Sequence, residues 1–203
     1  MNNSGMIEAV SAKFADGVLA SHVFRGDATV VVRRESLFDV ARFVKDDPAL
    51  SMNFLMDLSA VDYSTFGKGP TPAFFASSGV AVKPSTQIPD EDPWPGPGYV
   101  SEKRGADPEE WRFTVVYHFY STTHKHRLRL VVPLTEDDAE VDTVTSLWAG
   151  ANWLEREAWD MFGIVFRGHP DPRRILLYAE FEGHPLRKDY PVNKRQPLIG
   201  PLN

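Results

Sequence analysis

Proline and glycine are concentrated in one internal stretch, residues 67–110, and this concentration limits which folds the 203-residue chain can adopt. Eight of the 16 prolines and six of the 14 glycines fall within these 44 positions. Proline lacks a backbone donor and glycine costs conformational entropy, so such a stretch continues neither a helix nor a central strand. We therefore predict a long irregular insertion that interrupts one folded domain. The alternative is an arm that docks on a partner through Trp94, Tyr99 and Trp111.

On either side of this insertion the hydrophobic residues are regularly spaced. Helical spacing follows Ser4, Ser36 and Asn152, and Glu155 stands where a capping-box partner of Asn152 would be. The segments with strand character are 18–24, 28–33, 54–60, 112–120, 127–132 and 164–166. This order, with short turns between paired strands, predicts an α+β fold in which a mainly antiparallel sheet carries helices on one face.

The last 37 residues, 167–203, differ in charge from the rest of the chain. They carry a net charge of +3, whereas residues 1–166 carry −9. Six prolines and three glycines in this short segment favour an extended conformation over a second core. We predict a core domain over 1–166, interrupted by 67–110, and an extended basic C-terminal arm over 167–203 that contacts other subunits.

Composition excludes several classes of protein. The chain has no cysteine, which excludes disulfides, cysteine-ligated iron–sulfur clusters and thiol nucleophiles. Its longest apolar run, residues 175–179, is far shorter than the ~20 residues of a membrane span, and the first residues have neither signal-peptide nor transit-peptide character. We expect a soluble intracellular protein without a direct membrane span. The acidic body would repel a polyanion, and the basic positions of the arm are not interleaved with an aromatic stacking platform, which argues against nucleic-acid binding.

Histidines are the first candidates for chemistry. His124 and His126 have a spacing that suits a metal, although basic residues flank both and would repel a cation. The tripeptide Gly-His-Pro occurs twice, at 168–170 and 183–185, and basic residues follow each copy. A free-standing metalloenzyme is therefore one hypothesis, with His124, His126, His169 and His184 as ligands. Exposed turn histidines and rigid turns of an arm explain the same residues without a metal.

Acidic residues are the second candidates. Glu155, Glu157 and Asp160 lie on one predicted helix, where carboxylates could act as general acid and base. A capped amphipathic helix with Arg156 as counter-ion explains them equally well. The sequence contains no Walker A, dinucleotide-binding, zinc-protease or nucleophile-elbow motif. A protein–protein module is thus favoured over a self-sufficient enzyme.

One long segment, residues 155–170, closely resembles a family signature. The family is the C subunit, or thirty-kilodalton subunit, of proton-pumping NADH:quinone oxidoreductase, respiratory complex I, and segments 173–177 and 182–191 resemble it too. The similarity is dense over 111–191. Two features depart from the family pattern: Pro172 stands where the family typically has leucine, and the insertion is longer than the family's usual connection.

The resemblance implies a non-catalytic structural and assembly subunit of the peripheral arm, which supports electron transfer from NADH to quinone and binds no cofactor itself. NADH, FMN, iron–sulfur clusters and quinone would then belong to partner subunits. The implied partners are the D subunit, of the forty-nine-kilodalton type, and neighbouring cluster-bearing subunits, at the cytoplasmic face of the bacterial inner membrane. The same subunit type in a related membrane-bound hydrogenase or dehydrogenase complex is the alternative. The residues expected at the subunit interface are Glu155, Arg156, Glu157, Asp160, His169, Arg173, Arg174, His184, Arg187, Lys188 and Asp189.

Overall fold

The computed structural model describes residues 2–64 and 111–200. The predicted insertion, with Trp94 and Tyr99, lies outside these residues. The helices and strands are α1 (Asn3–Lys13), β1 (Val18–Phe24), β2 (Asp27–Val32), α2 (Leu37–Asp46), β3 (Phe54–Asp62), β4 (Phe113–Tyr120), β5 (Arg127–Leu134), β6 (Glu140–Asp142), α3 (Ala151–Phe162) and β7 (Val165–Arg167).

Five strands form the main sheet, in the order β1-β2-β5-β4-β3. The β1–β2, β4–β5 and β3–β4 pairs are antiparallel, whereas β2 and β5 run parallel. The prediction of a mainly antiparallel α+β sheet is confirmed. The parallel pair was not predicted, because short turns reveal hairpins but not which strand of one hairpin joins which strand of the next. A separate parallel pair, β6–β7, lies next to α3 in the chain.

The core occupies one face of this sheet. In β4 the side chains of Phe113, Val115, Tyr117 and Phe119 occupy alternate positions, so they share one face, and all four are fully buried. They belong to one cluster with alternate residues of the neighbouring strands and with apolar residues of all three helices. The helices therefore pack on the same face, and each large buried side chain contributes about 1.5–3 kcal/mol to stability.

A β-bulge changes which residues of β3 face this core. The apolar alternation predicted that Phe54 and Met56 share the buried face with Leu58. The register against β4 shifts between Leu55 and Asp57, so an extra residue is accommodated and the alternation is displaced. As a result Leu55 is buried, whereas Phe54 and Met56 are 51% and 43% exposed.

The first two helices begin differently from the prediction. The cap of α1 is Asn2, whose side chain accepts a hydrogen bond from the Gly5 backbone N–H at 2.9 Å, so the assignment of Ser4 was wrong. Ser36 does precede α2, but its side chain makes no capping hydrogen bond. A short 3-10 turn leads into the helix there and replaces the side-chain cap.

Candidate functional site

Most of the predicted interface residues lie on α3 and on the segment that follows β7. Residues 168–200 contain neither helix nor strand. The first part of this segment, residues 168–189, returns to the start of α3 at Asn152 and then runs along the helix to its C-terminal end. We call this part the returning arm. Its contacts determine which charged groups stay available to other proteins.

Asp160 anchors the middle of the returning arm. One carboxylate oxygen accepts hydrogen bonds from the backbone N–H groups of Ile175, Leu176 and Leu177, at 3.1, 2.9 and 2.9 Å. The other accepts one from the Arg174 guanidinium at 2.6 Å. The Asp160 side chain is fully buried. Burial alone would raise the pKa of Asp160, but hydrogen bonds from the arm backbone and Arg174 outweigh it and lower that pKa below its usual range.

The second Gly-His-Pro turn and its successors cap the C-terminal end of α3. The carbonyls of residues 160–162 accept hydrogen bonds from the His184 ring, the Leu186 backbone N–H and the Arg187 guanidinium, at 3.0, 3.1 and 2.5 Å in that order. These are carbonyls that a helix cannot satisfy internally. Burial lowers the pKa of His184, so its ring is neutral at pH 7 and donates through Nδ1.

Gly163 makes this approach possible. It ends α3 in the left-handed conformation, with φ of 72°, which glycine adopts more readily than any other residue. A Cβ at this position would lie 2.6 Å from ring atoms of His184 and 2.7 Å from the Arg187 guanidinium. Any larger residue would therefore meet both backbone strain and a steric clash with the returning arm.

The first Gly-His-Pro turn binds the opposite end of the same helix. His169 Nδ1 accepts a hydrogen bond from the Asp171 backbone N–H at 3.0 Å, so Nε2 carries the proton and donates to the Asn152 carbonyl at 3.0 Å. The two histidine-bonded carbonyls, those of Asn152 and Asp160, are eight residues apart, roughly 12 Å along a helix. The repeated motif therefore clamps one helix at two points.

Arg156 binds the backbone of the returning arm. Its guanidinium donates to the carbonyls of Arg173 and Arg174 at 2.9 and 3.0 Å, and it lies 3.6 Å from the Asp171 carboxylate. The interpretation of Arg156 as counter-ion of the helix carboxylates was wrong, because Arg174 has that role for Asp160. Glu157 and the Arg173 side chain face solvent.

Glu155 was also misassigned. The residue before α3 is Gly150, without a side-chain cap, so the predicted capping box is absent. Glu155 is fully buried instead and accepts hydrogen bonds from the Thr143 hydroxyl at 2.5 Å and the Val144 backbone N–H at 2.8 Å. Burial raises its pKa to about 7, despite these bonds. His169 Nε2 lies 3.9 Å from its carboxylate.

A second anchor, which sequence reasoning missed, holds the end of the returning arm. Arg112 is 8% exposed and forms ion pairs with Asp62 at 3.2 Å, with Asp189 at 2.7 Å and with Glu136. The Lys188 backbone N–H donates to Asp62 at 2.9 Å. Burial opposes ionisation of Asp62, but this hydrogen bond and others outweigh it and lower the pKa of Asp62. The available signal was Asp62, a charged residue that continues the buried alternation of Leu58 and Ala60 in β3.

The four candidate metal ligands do not come together. His124 and His126 lie in the β4–β5 turn, where their Nε2 atoms bond the carbonyls of Pro48 and Leu50, each at 2.8 Å. The other two histidines hold opposite ends of α3. Within residues 2–64 and 111–200, no group of three or more histidine, aspartate or glutamate side chains is placed to hold a metal ion. The metalloenzyme hypothesis thus has no geometric support.

Comparison with known proteins assigns the family. Residues 30–196 match the family of the respiratory-chain NADH dehydrogenase 30 kDa subunit. The chain belongs to this family. Its relatives include the C subunit of the NADH-quinone oxidoreductase of Geotalea uraniireducens (strain Rf4), 38% identical over all of this chain and 96% of the relative. The protein of the same name from Roseiflexus sp. (strain RS-1) is 38% identical over 97% of this chain and 88% of the relative.

Two solved structures have a similar fold. The trypsin-resistant fragment (1–134) of Nqo5 superposes with a TM-score of 0.56 at 29% identity, over 84% of this chain and 99% of that one. A chain of the membrane-bound sulfane sulfur reductase, an archaeal respiratory membrane complex, superposes with a TM-score of 0.58 over 94% of this chain and 86% of that one. The two sequences are 16% identical, so this likeness shows the fold alone. Among the residues that the structure describes, no helix has the length and hydrophobicity to cross a membrane.

Proposed function

We propose that this chain is a non-catalytic structural and assembly subunit of the peripheral arm of proton-translocating NADH:quinone oxidoreductase. The observation that carries the proposal is the full-length similarity to proteins named as the C subunit of NADH-quinone oxidoreductase. The geometry supports it, because the charged groups of α3 and the returning arm bond to each other and shape a surface instead of converging on a cavity.

The buried and exposed members of the predicted interface have different roles in this proposal. The inner members are Glu155, Arg156, Asp160, His169, Arg174, His184 and Arg187. All of them except Glu155 bond the returning arm to α3, whereas Glu155 bonds Thr143 and Val144. The outer members, Glu157, Arg173 and Lys188, present charge to partner subunits, whereas the exposed Asp189 pairs with Arg112 and holds the end of the arm. Trp153 on α3 is 69% exposed and provides an aromatic residue of the kind that dominates binding energy at interfaces.

The proposal extends to partners and location. We expect contacts with the D subunit and with neighbouring cluster-bearing subunits, which would hold NADH, FMN, iron–sulfur clusters and quinone. This chain would then supply no redox group of its own. Its place would be the cytoplasmic face of the bacterial inner membrane, held by other subunits and not by a span of its own.

Affinity isolation tests this assignment. A tagged full-length chain is recovered from gently solubilised membranes, and the co-purifying chains are identified by mass spectrometry. We expect the subunits of an NADH:quinone oxidoreductase, including its D subunit, with NADH:quinone activity in the same fraction. Recovery of hydrogenase subunits would favour the related complex instead. Recovery of the chain alone, from membranes in which the activity is intact, would contradict the proposal.

A further inference from the structure

The sheet face opposite the core carries a polar row that crosses all five strands. The strand registers align His22 with Thr29, Thr29 with Arg129, Arg129 with His118, and His118 with Asp57. Thr29, Arg129, His118 and Asp57 each neighbour core residues in their own strands, and His22 lies opposite Thr29, so all five side chains are on the face turned away from the helices. We call this surface the open face.

The polar groups of the open face are incompletely satisfied. Thr29 is only 2% exposed, yet within residues 2–64 and 111–200 its hydroxyl has no hydrogen-bond partner, and neither has Nε of Arg129. In the described part of the chain, neither Arg127 nor Arg129 forms an ion pair, in contrast to the arginines that hold the returning arm. Buried polar groups of a folded protein normally have a hydrogen-bond partner. The open face is therefore suited to an incoming ligand group.

A cavity shows where such a group fits. It has a volume of about 340 Å³ and is lined by Met56, Asp57, His118, Arg127 and Arg129, among others. Planar guanidinium groups favour carboxylates, which they bind through paired hydrogen bonds. The bulge of β3 leaves apolar side chains exposed beside the cavity. A free anion would leave these apolar side chains in water, whereas a polypeptide segment would cover them.

We propose that the open face is a second docking surface, which receives a carboxylate-bearing segment of another protein subunit of the same complex. This inference rests on the proposed function and adds an interface remote from α3 and the returning arm. The carboxylate would bind Arg127 and Arg129, and apolar side chains of the same segment would pack on Phe54 and Met56. Asp27 and Asp57 would repel a wrongly placed acidic group and so restrict its register.

Electrostatics of the open face agree with this ligand. Burial lowers the pKa of His118, and the charges of Arg129 and Arg127 lower it further, against opposing contributions from Asp57 and Asp27. The ring is thus mainly neutral at pH 7 and can donate one hydrogen bond without adding charge. A bound carboxylate beside it would raise the pKa of His118, which histidine NMR can follow.

Charge reversal tests the docking surface. Arg129→Glu should reduce recovery of the chain with the other subunits about ten-fold or more. The new glutamate would repel the carboxylate of the docking segment, which would also lose its ion pair with Arg129. Arg129→Gln should give a smaller loss. Arg42→Glu, a matched reversal on the exposed surface of α2, should leave recovery unchanged. Circular dichroism melting of the full-length chains identifies any variant that fails to fold. If Arg129→Glu fails to fold, the recovery of Arg129→Gln tests the docking surface instead. Unchanged recovery of folded Arg129 variants would overturn the inference.

Cysteine labelling gives an independent readout, because this chain has no cysteine of its own. Ser59→Cys places one thiol at an exposed position of the open face. We expect maleimide to label it in the free full-length chain and to lose that labelling in the isolated complex. Equal labelling in both, with the oxidoreductase subunits co-purified, would overturn the second interface and leave the proposed function intact. Failure of the wild-type chain to co-purify would overturn both.

Discussion

Two carboxylates of α3 show how neighbouring residues set the state of a buried acid. Asp160 and Glu155 are both fully buried on the same helix, yet the pKa of Asp160 is lowered and that of Glu155 is raised to about 7. Asp160 accepts three backbone hydrogen bonds and pairs with Arg174, whereas Glu155 accepts two bonds and, among the described residues, pairs with no arginine or lysine. The returning arm therefore stabilises charge at one site and not at the other.

The raised pKa of Glu155 gives a stability profile that can be measured. In the unfolded chain this carboxyl ionises near its ordinary pKa of 4.5, but in the folded chain near 7. Between these values the unfolded state releases a proton that the folded state keeps, so the free energy of unfolding falls by about 3 kcal/mol as pH rises from 4.5 to 7. Glu155→Gln should remove this fall, as measured by urea unfolding at several pH values. Parallel profiles for the wild type and the variant would contradict the assignment.

At the scale of elements, the hydrophobic pattern was sufficient to predict which segments form helices and which form strands. It did not predict where these elements end or which of them contact each other. All three helices and six of the seven strands lie where the periodicity predicted them. The three-residue β6 is too short to have a period, and β2–β5 pairing depends on how two hairpins meet. Cap assignments failed because several polar residues stand near each helix start. The roles of Asp160 and Glu155 could not be predicted, because their partners come from other segments.

Gly163 tests the junction between α3 and the returning arm. Gly163→Ala should destabilise the chain by about 1–3 kcal/mol, because alanine disfavours the left-handed conformation and its Cβ would meet His184. Gly150→Ala is the matched control: that residue has φ of −63° and no atom within 4 Å of the place an added Cβ would occupy, so stability should be unchanged or slightly higher. Urea unfolding measures both. Equal effects of the two variants would show that the junction is not tight.

Removal of the arm has a broader effect than the sequence predicted. The division into a core over 1–166 and an arm over 167–203 implies that truncation after Phe166 abolishes incorporation while the core stays folded. The structure adds that such a truncation leaves Asp160 buried without its arm donors and the end of α3 uncapped, which costs stability as well. We expect a lower unfolding midpoint and no incorporation into the complex. A chain truncated after Leu198 should match the full-length chain in both measurements. Full incorporation of the shorter chain would contradict the role of the arm.

For the whole molecule, three segments remote in sequence meet at Arg112. The end of β3, the start of β4 and the end of the returning arm converge there, through Asp62, Arg112 and the pair 188–189. The first two flank the insertion in sequence, so this cluster closes the core at the point where the chain leaves and re-enters it. Hydrophobic periodicity carries no information about such a contact. The family signature over residues 155–170 predicted the general function correctly, because a match in residue order does not require knowledge of which residues contact each other.

Arg112 therefore couples the core to the arm, and its replacement should affect both. Arg112→Met keeps a long apolar side chain but leaves Asp62 buried without a counter-ion, which should destabilise the fold by about 3–5 kcal/mol. The same variant releases the end of the returning arm, so trypsin should cleave faster at Arg187 and Lys188. Arg173→Gln is the control, because that side chain is 76% exposed and, among the residues that the structure describes, forms an ion pair only with Asp171. Limited digestion with mass spectrometry compares the two at matched unfolding free energy, reached by adding urea to the control. If cleavage in the arm is then equal, the Arg112 cluster stabilises the core alone and does not hold the arm.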